Sequence, residues 1–175
     1  QMCIRDSIGR IKLAVAALDA ERRLINESTK YANERIQFRK KISEFGAIKE
    51  KIAVMATDLY VGESASYRAA KDIEDRIVIL KESGKSYQEA TLRGFEEYVI
   101  ECSMLKVAVS EDLQNVADQG IQIFGGMGYS KETPMESAWR DARIARIYEG
   151  TNEINRLVAI GMLIKKAIKG HVDLI

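Results

Sequence analysis

Apolar residues recur along most of the chain at spacings of three, four and seven, which is the pattern of one face of an α-helix. This spacing predicts a first helix over about 8–33, a second that runs to about Leu80, a third around 98–116 and a last one after residue 153. Ser43 is the predicted N-cap of the second helix, since its hydroxyl can accept a hydrogen bond from the first turn. The apolar stripes comprise Ile11, Val15, Leu18 and Ile25; Ile48, Ile52, Met55 and Leu59; Tyr98, Cys102, Leu105, Val109, Leu113 and Val116; and Ile154, Leu157, Ile164 and Ile168.

The segments between these stripes are short, and none alternates with the period of two that predicts a β-strand. The polar run KESGKSYQEA (81–90) is the predicted linker, and RIQFRKKISEFG (35–46) is a second break. Four long helices with these connections predict an all-α fold, an antiparallel four-helix bundle. We expect one domain over 8–175, preceded by a truncated or non-native start at 1–7, where helical pattern is lacking.

Charge and composition exclude several classes of function. The 175 residues include 27 basic and 26 acidic side chains, a balance that does not favour a nucleic-acid partner or an anionic membrane. No apolar run approaches the roughly 20 residues of a transmembrane helix. Cys3 and Cys102 are too far apart to indicate a disulfide framework, and His171 is the only histidine, so we expect neither a metal site nor a His-dependent nucleophile. These features indicate a soluble, intracellular chain.

Residues 119–156 depart most from plain helical pattern, with a glycine cluster, the only proline and the only tryptophan. FGGMGY (124–129) is not a dinucleotide-binding fingerprint, because no strand precedes it and the glycine spacing differs. After a helix, such glycines form a C-cap and a turn. Alternatively, bare glycine backbone lets a phosphate or sugar approach closely. The pattern leaves both interpretations open.

Glu149 lies in IYEGTNEI, between an arginine-rich helix and the last helix. In one interpretation Gly150 ends a helix, and Thr151 or Asn152 caps the next, with Glu153 in its first turn. In the other, Glu149 is a carboxylate held at a helix junction among apolar neighbours, where it removes a proton. The spacing does not decide between them.

Two motifs together resemble one enzyme family. QIFGGMGYSKETPMESAWRDARIARIYEGTNEINR (122–156) resembles the C-terminal signature of the flavin-dependent acyl-CoA dehydrogenases, and YANERIQF (31–38) resembles their Arg-x-Gln-Phe segment. The resemblance extends from about Ile8 over nearly the whole chain, and 45–51 is most similar to the very-long-chain type and its bacterial relatives. It implies the C-terminal helical bundle of a longer polypeptide, which also has an N-terminal helical domain and a middle β domain.

The resemblance implies fatty-acid β-oxidation chemistry, the dehydrogenation of an acyl-CoA to a trans-2-enoyl-CoA. Glu149 would be the base that removes the α-proton, while the β-hydrogen leaves as hydride to FAD. Its backbone N–H would polarise the thioester carbonyl. Some relatives carry the base near the position of Gly9, but glycine has no side chain that could accept a proton. Arg10, Tyr148 and Gly150 would contact the substrate.

The resemblance also implies a set of FAD contacts. Arg35 would bind the diphosphate across a dimer interface, a task that suits a bidentate guanidinium, although an ordinary surface arginine is the alternative. The implied cofactor-binding residues are Arg35, Gln37, Phe38, Gln122, Ile123, Phe124, Gly125, Gly126, Thr151, Asn152 and Glu153. The family pattern is broken where Arg39 replaces a glycine, Lys41 a proline and Gly46 a glutamine, which affects the local turn and one cofactor contact.

The implied partners are an acyl-CoA substrate, a second copy in a homodimer or dimer of dimers, and an electron-transferring flavoprotein as electron acceptor. The implied compartment is the bacterial cytoplasm or the mitochondrial matrix. We expect the chain by itself to fold and dimerise but to bind FAD weakly and turn over little. The alternative is a non-catalytic helical scaffold derived from the family, in which Glu149, Arg35 and Gln122 would have no use.

Overall fold

The computed structural model of the chain describes residues 4–170 and 172, and its architecture is almost wholly helical. This confirms the all-α prediction. Cys3 and His171 lie outside the described residues, as do 1, 2 and 173–175. The helices are α1 (Ile4–Glu34), α2 (Gly46–Glu82), α3 (Tyr87–Glu97), α4 (Val99–Phe124), α5 (Gly126–Tyr129), α6 (Met135–Ala145) and α7 (Asn152–Ile168).

Helix α4 is the centre of the bundle and packs against α1, α2, α6 and α7. Its predicted apolar stripe is confirmed, because Cys102, Leu105, Val109, Leu113 and Val116 are all buried. Burying one such side chain stabilises the fold by roughly 1.5–3 kcal/mol. From α2, Met55 reaches the same core and is fully buried.

Two predicted stripes differ from the observed buried faces. On α1, Val15 is 55% exposed, although Leu18 and Ile25 of the same stripe are buried, and Ala14 and Ala17 complete the buried face. On α7, the whole predicted stripe is exposed, from Ile154 (50%) to Ile168 (81%). That helix packs against α4 through Asn152, Asn155 and Ala159, so its apolar face is left uncovered by the described part of the chain.

Several predicted boundaries are wrong. Helix α1 begins at Ile4, before the predicted start at residue 8, and Ser7 is fully buried in it. Ser43 is not an N-cap, because it lies in a 3₁₀ helix (Ile42–Glu44) and α2 begins only after Phe45. The predicted linker is partly helical, since Ser86 accepts a hydrogen bond from the Glu89 N–H and starts α3. The predicted third helix, around 98–116, corresponds to α4, and α3 is an additional helix before it.

A small hairpin joins α1 to the 3₁₀ helix. Its two-residue strands, β1 (Ile36–Gln37) and β2 (Lys40–Lys41), pair antiparallel with Ile36 opposite Lys41. The turn places Phe38 at φ 51° and Arg39 at φ 67°, the left-handed region that glycine adopts most easily. Arg39 stands where the family pattern has glycine, and the turn keeps a left-handed conformation there despite the change.

The described residues offer no candidate for a membrane span or for a metal site. None of these helices combines the length and the apolar character needed to cross a bilayer. Within the same residues, no group of three or more acidic, cysteine or histidine side chains is arranged to hold a metal ion.

Candidate functional site

The Glu149 loop (residues 146–151) connects α6 to α7 and has an unusual backbone. Glu149 has φ 57° and Gly150 has φ 81°. For a residue with a side chain, the left-handed region costs of order 1–3 kcal/mol, and such residues cluster at functional sites. Glu149 itself is exposed. Thr151 caps α7, since its hydroxyl accepts a hydrogen bond from the Ile154 N–H at 3.3 Å, so the predicted cap is confirmed.

The carboxylate of Glu149 lies against Gly9 of α1. A β-carbon at position 9 would lie 2.5 Å from Glu149 Cδ and 2.7 Å from its Oε1, well inside van der Waals contact. Gly9 therefore leaves the space that the carboxylate occupies. The two positions that the family resemblance connects, 9 and 149, are neighbours in the fold.

The carbonyl groups of residues 149–151 accept hydrogen bonds from side chains of the bundle. Asn155 Nδ2 lies 3.3 Å from Glu149 O, 2.7 Å from Gly150 O and 3.1 Å from Thr151 O. Arg10 Nε lies 3.4 Å from Glu149 O. In the described part of the chain, no backbone carbonyl accepts from the N–H of Glu149 or Gly150. The loop thus uses its acceptors internally, whereas these two donors have no backbone partner among the described residues.

A buried lysine, Lys106 of α4, also holds this loop. Its ammonium group donates to Gly150 O at 2.8 Å and to Asn152 Oδ1 at 2.7 Å. Burial, with a further contribution from the nearby Arg10, lowers the pKa of Lys106 to about 8. Asn152 Nδ2 donates in turn to Ser110 Oγ and Glu111 Oε1.

Sequence reasoning missed both Lys106 and Asn155. The signal for Lys106 was present, because it lies four residues after Cys102 and three before Val109, on the stripe that α4 buries. A charged residue at such a position needs hydrogen-bond partners inside the fold. Asn155 had no comparable signal, since a single asparagine one turn into a helix is ordinary.

The predicted substrate residues fall in different environments. Arg10 is only 3% exposed, and its guanidinium contacts Ser103 Oγ at 3.1 Å as well as the loop. In this chain Arg10 therefore supports the loop from inside. Tyr148 is 46% exposed and lines an apolar groove.

That groove, here the α1–α6 groove, has a volume of about 680 Å³. It follows α1 from Leu13 to Glu27, a distance of about 20 Å at the helical rise. Six of its sixteen lining residues are alanines of α1 and α6, and Tyr148 brings it to the Glu149 loop. Such a groove suits a long apolar ligand that begins near Glu149.

A second candidate site lies where the hairpin meets the end of α4. Its cavity of about 390 Å³ brings together the two segments that the resemblance assigns to FAD; the lining residues are Tyr31, Arg35, Gln37, Ile42, Ile123, Phe124, Gly125, Gly126 and Met127. We call this the Arg35 pocket. The rings of Tyr31 and Phe124 stack at its base, with centroids 4.0 Å apart.

The glycines of the Arg35 pocket serve two purposes. Gly125 is the C-cap of α4, as predicted, with φ 61° and ψ −139°, a conformation open essentially to glycine alone. A β-carbon on Gly126 would meet nothing within 4 Å, so the described residues leave open space there. That space permits the close approach of a ligand, the other interpretation of the glycine cluster.

Five predicted cofactor residues lie outside the Arg35 pocket. Phe38 is 88% exposed at the tip of the hairpin, where it packs edge-on against Phe45. Gln122 is exposed but does not line the cavity. Asn152 is 1% exposed, and its side chain is engaged within the chain. Thr151 and Glu153 lie beside the Glu149 loop, at the start of α7.

The comparisons with known proteins agree on one family and one fold. The family model for the acyl-CoA dehydrogenase C-terminal domain matches residues 7–163. A probable acyl-CoA dehydrogenase of Bacillus subtilis (strain 168) is 44% identical over 168 residues, 96% of this chain and 28% of that protein. The mitochondrial very long-chain specific acyl-CoA dehydrogenase of Macaca fascicularis is 38% identical over 149 residues, 85% of this chain and 20% of that protein.

A solved structure shows the same fold in a larger protein. The acyl-CoA dehydrogenase from Bacillus anthracis, crystallised with FAD, is similar with a TM-score of 0.92 and 43% sequence identity. The match covers 97% of this chain and 29% of that one. The chain thus spans less than a third of the length of these three proteins.

Proposed function

Since the chain belongs to the family of acyl-CoA dehydrogenase C-terminal domains, we propose that it is the helical-bundle part of a longer flavin-dependent acyl-CoA dehydrogenase. The proposed reaction is the α,β-dehydrogenation of a fatty acyl-CoA to a trans-2-enoyl-CoA. The observation that carries the proposal is the Glu149 carboxylate, held against Gly9 by a loop with left-handed backbone.

Glu149 is the proposed base for the α-proton. A carboxylate oxygen accepts that proton as the Cα–H bond breaks, and the thioester carbonyl takes up the negative charge. The N–H of Glu149 is a suitable donor to that oxygen, because the carbonyls of the loop are already bound by Asn155, Arg10 and Lys106. Preorganised backbone donors of this kind lower the barrier most, since they need not reorient during the reaction.

The residues of the Arg35 pocket fit the adenosine diphosphate end of FAD. The guanidinium of Arg35 can bind two phosphate oxygens, and the open space at Gly126 lets a phosphate or sugar approach the backbone. FAD, when bound, supplies the acceptor for the β-hydrogen, which leaves the substrate as hydride. Thr151 and Glu153 are the proposed contacts at the flavin end.

The two candidate sites lie at opposite ends of α1. Arg10 and Arg35 are 25 positions apart in sequence, which corresponds to about 37 Å along a helix. One dinucleotide cannot reach from the Arg35 pocket to the Glu149 loop of the same copy. We therefore propose a homodimer, or a dimer of dimers, in which each FAD contacts the Arg35 pocket of one copy and the Glu149 loop of the other.

The acyl chain is proposed to lie in the α1–α6 groove. The groove begins beside Tyr148 and is lined mainly by apolar side chains, so a saturated chain can be buried there while the thioester stays at Glu149. A length of about 20 Å along α1 favours long-chain over short-chain substrates.

Partner and compartment rest on the family resemblance. We propose an electron-transferring flavoprotein as the electron acceptor, and the bacterial cytoplasm or the mitochondrial matrix as the compartment. The alternative function, a non-catalytic scaffold, is favoured by one observation, the uncovered apolar face of α7.

Turnover in the longer polypeptide distinguishes these functions. The chain is joined to the upstream domains of its own reading frame, purified with FAD, and assayed for enoyl-CoA formation with an artificial electron acceptor. We expect activity in the parent, a loss of at least about 1,000-fold in Glu149→Gln, and parental activity in Glu132→Gln, an exposed control. A parent that binds no FAD and forms no enoyl-CoA would support the scaffold instead.

A further inference from the structure

We propose that Lys106 is a positioning residue for the base, one that fixes the Glu149 loop through the carbonyl of Gly150 and the side chain of Asn152. The proposal rests on the proposed function, because it concerns the geometry of Glu149. It assigns a role to a residue of α4 that is remote in sequence from every motif of the signature.

The surroundings of Lys106 are not those of an ordinary lysine. It is fully buried, whereas lysine is almost never fully buried without partners. Its two acceptors, Gly150 O and Asn152 Oδ1, are both neutral. Within the described part of the chain, no carboxylate forms an ion pair with it within 4 Å. Desolvation of its charge is therefore offset by the hydrogen bonds to the loop and by the more distant carboxylates of Glu153, Glu111 and Glu149.

Stability of α7 does not account for this arrangement. Lys106 contacts Asn152, the first residue of α7, and a helix N-terminus carries partial positive charge. A second positive charge at that end is unfavourable for the helix. The residue that suits this end, Thr151, already caps it. What the lysine adds is a connection between α4 and the strained part of the loop.

The contacts explain how this connection acts on Glu149. Gly150 directly follows Glu149, and both have left-handed backbone. Fixing the carbonyl of Gly150 from α4 sets the orientation of the Gly150–Thr151 peptide and so anchors the residue that directly follows Glu149, while Asn152 is held by Ser110 and Glu111, also of α4. Glu111 is itself bound by both oxygens to Arg156, at 2.9 and 2.7 Å. The C-terminal end of the loop is therefore held by α4.

The test uses the longer FAD-loaded polypeptide and the variant Lys106→Met, which keeps the length of the side chain and removes the donor. Misplacement of a reacting group by about 1 Å can cost roughly 100-fold in rate. We expect kcat to fall by about 10- to 100-fold, KM for the acyl-CoA to change by less than about 3-fold, and FAD to stay bound. Lys166→Met is the matched control, because Lys166 also donates to a backbone carbonyl, that of Glu97 at 2.7 Å, away from the loop.

The outcomes separate this proposal from the proposed function. If Glu149→Gln is inactive and Lys106→Met keeps parental kcat, even with a lower melting temperature, Lys106 is structural only and the proposal is wrong. If Glu149→Gln is as active as the parent, the proposed function itself is wrong. Should Lys106→Met not fold, Lys106→Gln replaces it, because an amide can restore one of the two hydrogen bonds. We expect a decrease of about 10-fold in its kcat, and parental kcat would overturn the proposal.

Discussion

The carboxylate of Glu149 occupies the space that a side chain at Gly9 would fill, with only 2.5 Å between Glu149 Cδ and a β-carbon at position 9. Glycine is a poor helix former, and its place in α1 costs about 1 kcal/mol relative to alanine. The open space at Gly9 is thus a feature of the site that works against the stability of the helix.

Gly9→Ala is therefore expected to have opposite effects on helix stability and activity. The methyl group forces the Glu149 carboxylate to move, and flavin reduction in the longer polypeptide slows by about 10-fold or more. The chain by itself keeps or gains up to about 1 kcal/mol of stability, because alanine favours the helix. Stopped-flow absorbance and urea unfolding measure the two effects. Unchanged flavin reduction in Gly9→Ala would show that the position of the carboxylate does not matter.

The pair of positions also permits a relocation of the base. In a Glu149→Gly background, Gly9→Glu places a carboxylate on α1 beside the same space, and we expect it to recover part of the lost turnover. Gly9→Glu alone is expected to be inactive, because two carboxylates would compete for one space. Enoyl-CoA formation by the three variants is the measurement. If the double variant recovers no turnover, a carboxylate at position 9 does not reach the place that the Glu149 carboxylate occupies.

A second prediction concerns the hairpin turn. Arg39 has φ 67°, a region that costs a residue with a side chain about 1–2 kcal/mol. Arg39→Gly relieves this strain and should stabilise the chain by about 1 kcal/mol in urea unfolding. Lys40→Gly is the control: Lys40 lies in β2 and covers the ring of Phe45 at 4.1 Å, so the same change there should destabilise. Equal effects of the two substitutions would contradict the account of the turn.

A third prediction concerns Glu21 of α1, which is fully buried and whose carboxylate oxygens have no hydrogen-bond partner among the described residues. Burial, with Asp112 and Asp58 nearby, raises the pKa of Glu21 from 4.5 to about 8. The folded state therefore retains a proton that the unfolded state releases, so stability falls as the pH rises from 4.5 to 8. The pKa of Asp112 is raised to about 6 in the same way, by burial first and then by Asp58 and Glu111.

Glu21→Gln tests this pH dependence, because it keeps the shape of the side chain and removes the titration. At pH 8 the variant should be more stable than the parent by on the order of 2 kcal/mol, and the two should converge near pH 5. Urea unfolding between pH 6 and 8 isolates Glu21, since Asp112 titrates mainly below that window. A parent whose stability is flat between pH 6 and 8 would contradict the raised pKa of Glu21.

A fourth prediction concerns the α1–α6 groove. Ala20 lines its middle, so Ala20→Phe should block the passage of a long acyl chain but leave room for a short one. We expect kcat/KM in the longer polypeptide to fall by about 10-fold or more for a sixteen-carbon substrate and by less than about 3-fold for a four-carbon substrate. Ala56→Phe, at an exposed position of α2, should change neither. Equal losses for both substrates would place the acyl chain elsewhere.

The sequence predicts those features whose physical cause is local. The buried stripe of α4, the Thr151 cap and the Gly125 C-cap all follow from spacing and backbone preference within one or two turns. The start of α3 was equally local, because Ser86 and Glu89 have the spacing of a capping box, but the polar run around them obscured it.

Features that depend on distant segments could not be predicted from spacing. The stripe of α7 is exposed because no described residue packs over it. Periodicity indicates an apolar face but does not identify the segment that packs against it. The burial of Lys106 could be read from the stripe of α4, but its partner, the Gly150 carbonyl, could not, because it is 44 positions away. The closeness of Gly9 and Glu149 likewise depends on the packing of the whole bundle, so only the family resemblance pointed to it.

The most direct test of the central claim is the anaerobic reduction of bound flavin by an acyl-CoA, followed by stopped-flow absorbance. It uses the longer polypeptide with FAD, as the parent and as Glu149→Gln. We predict rapid bleaching of the flavin in the parent and a loss of at least about 1,000-fold in rate in Glu149→Gln, with FAD still bound. Equal bleaching rates in the two proteins would assign the α-proton to another base and contradict the role of Glu149.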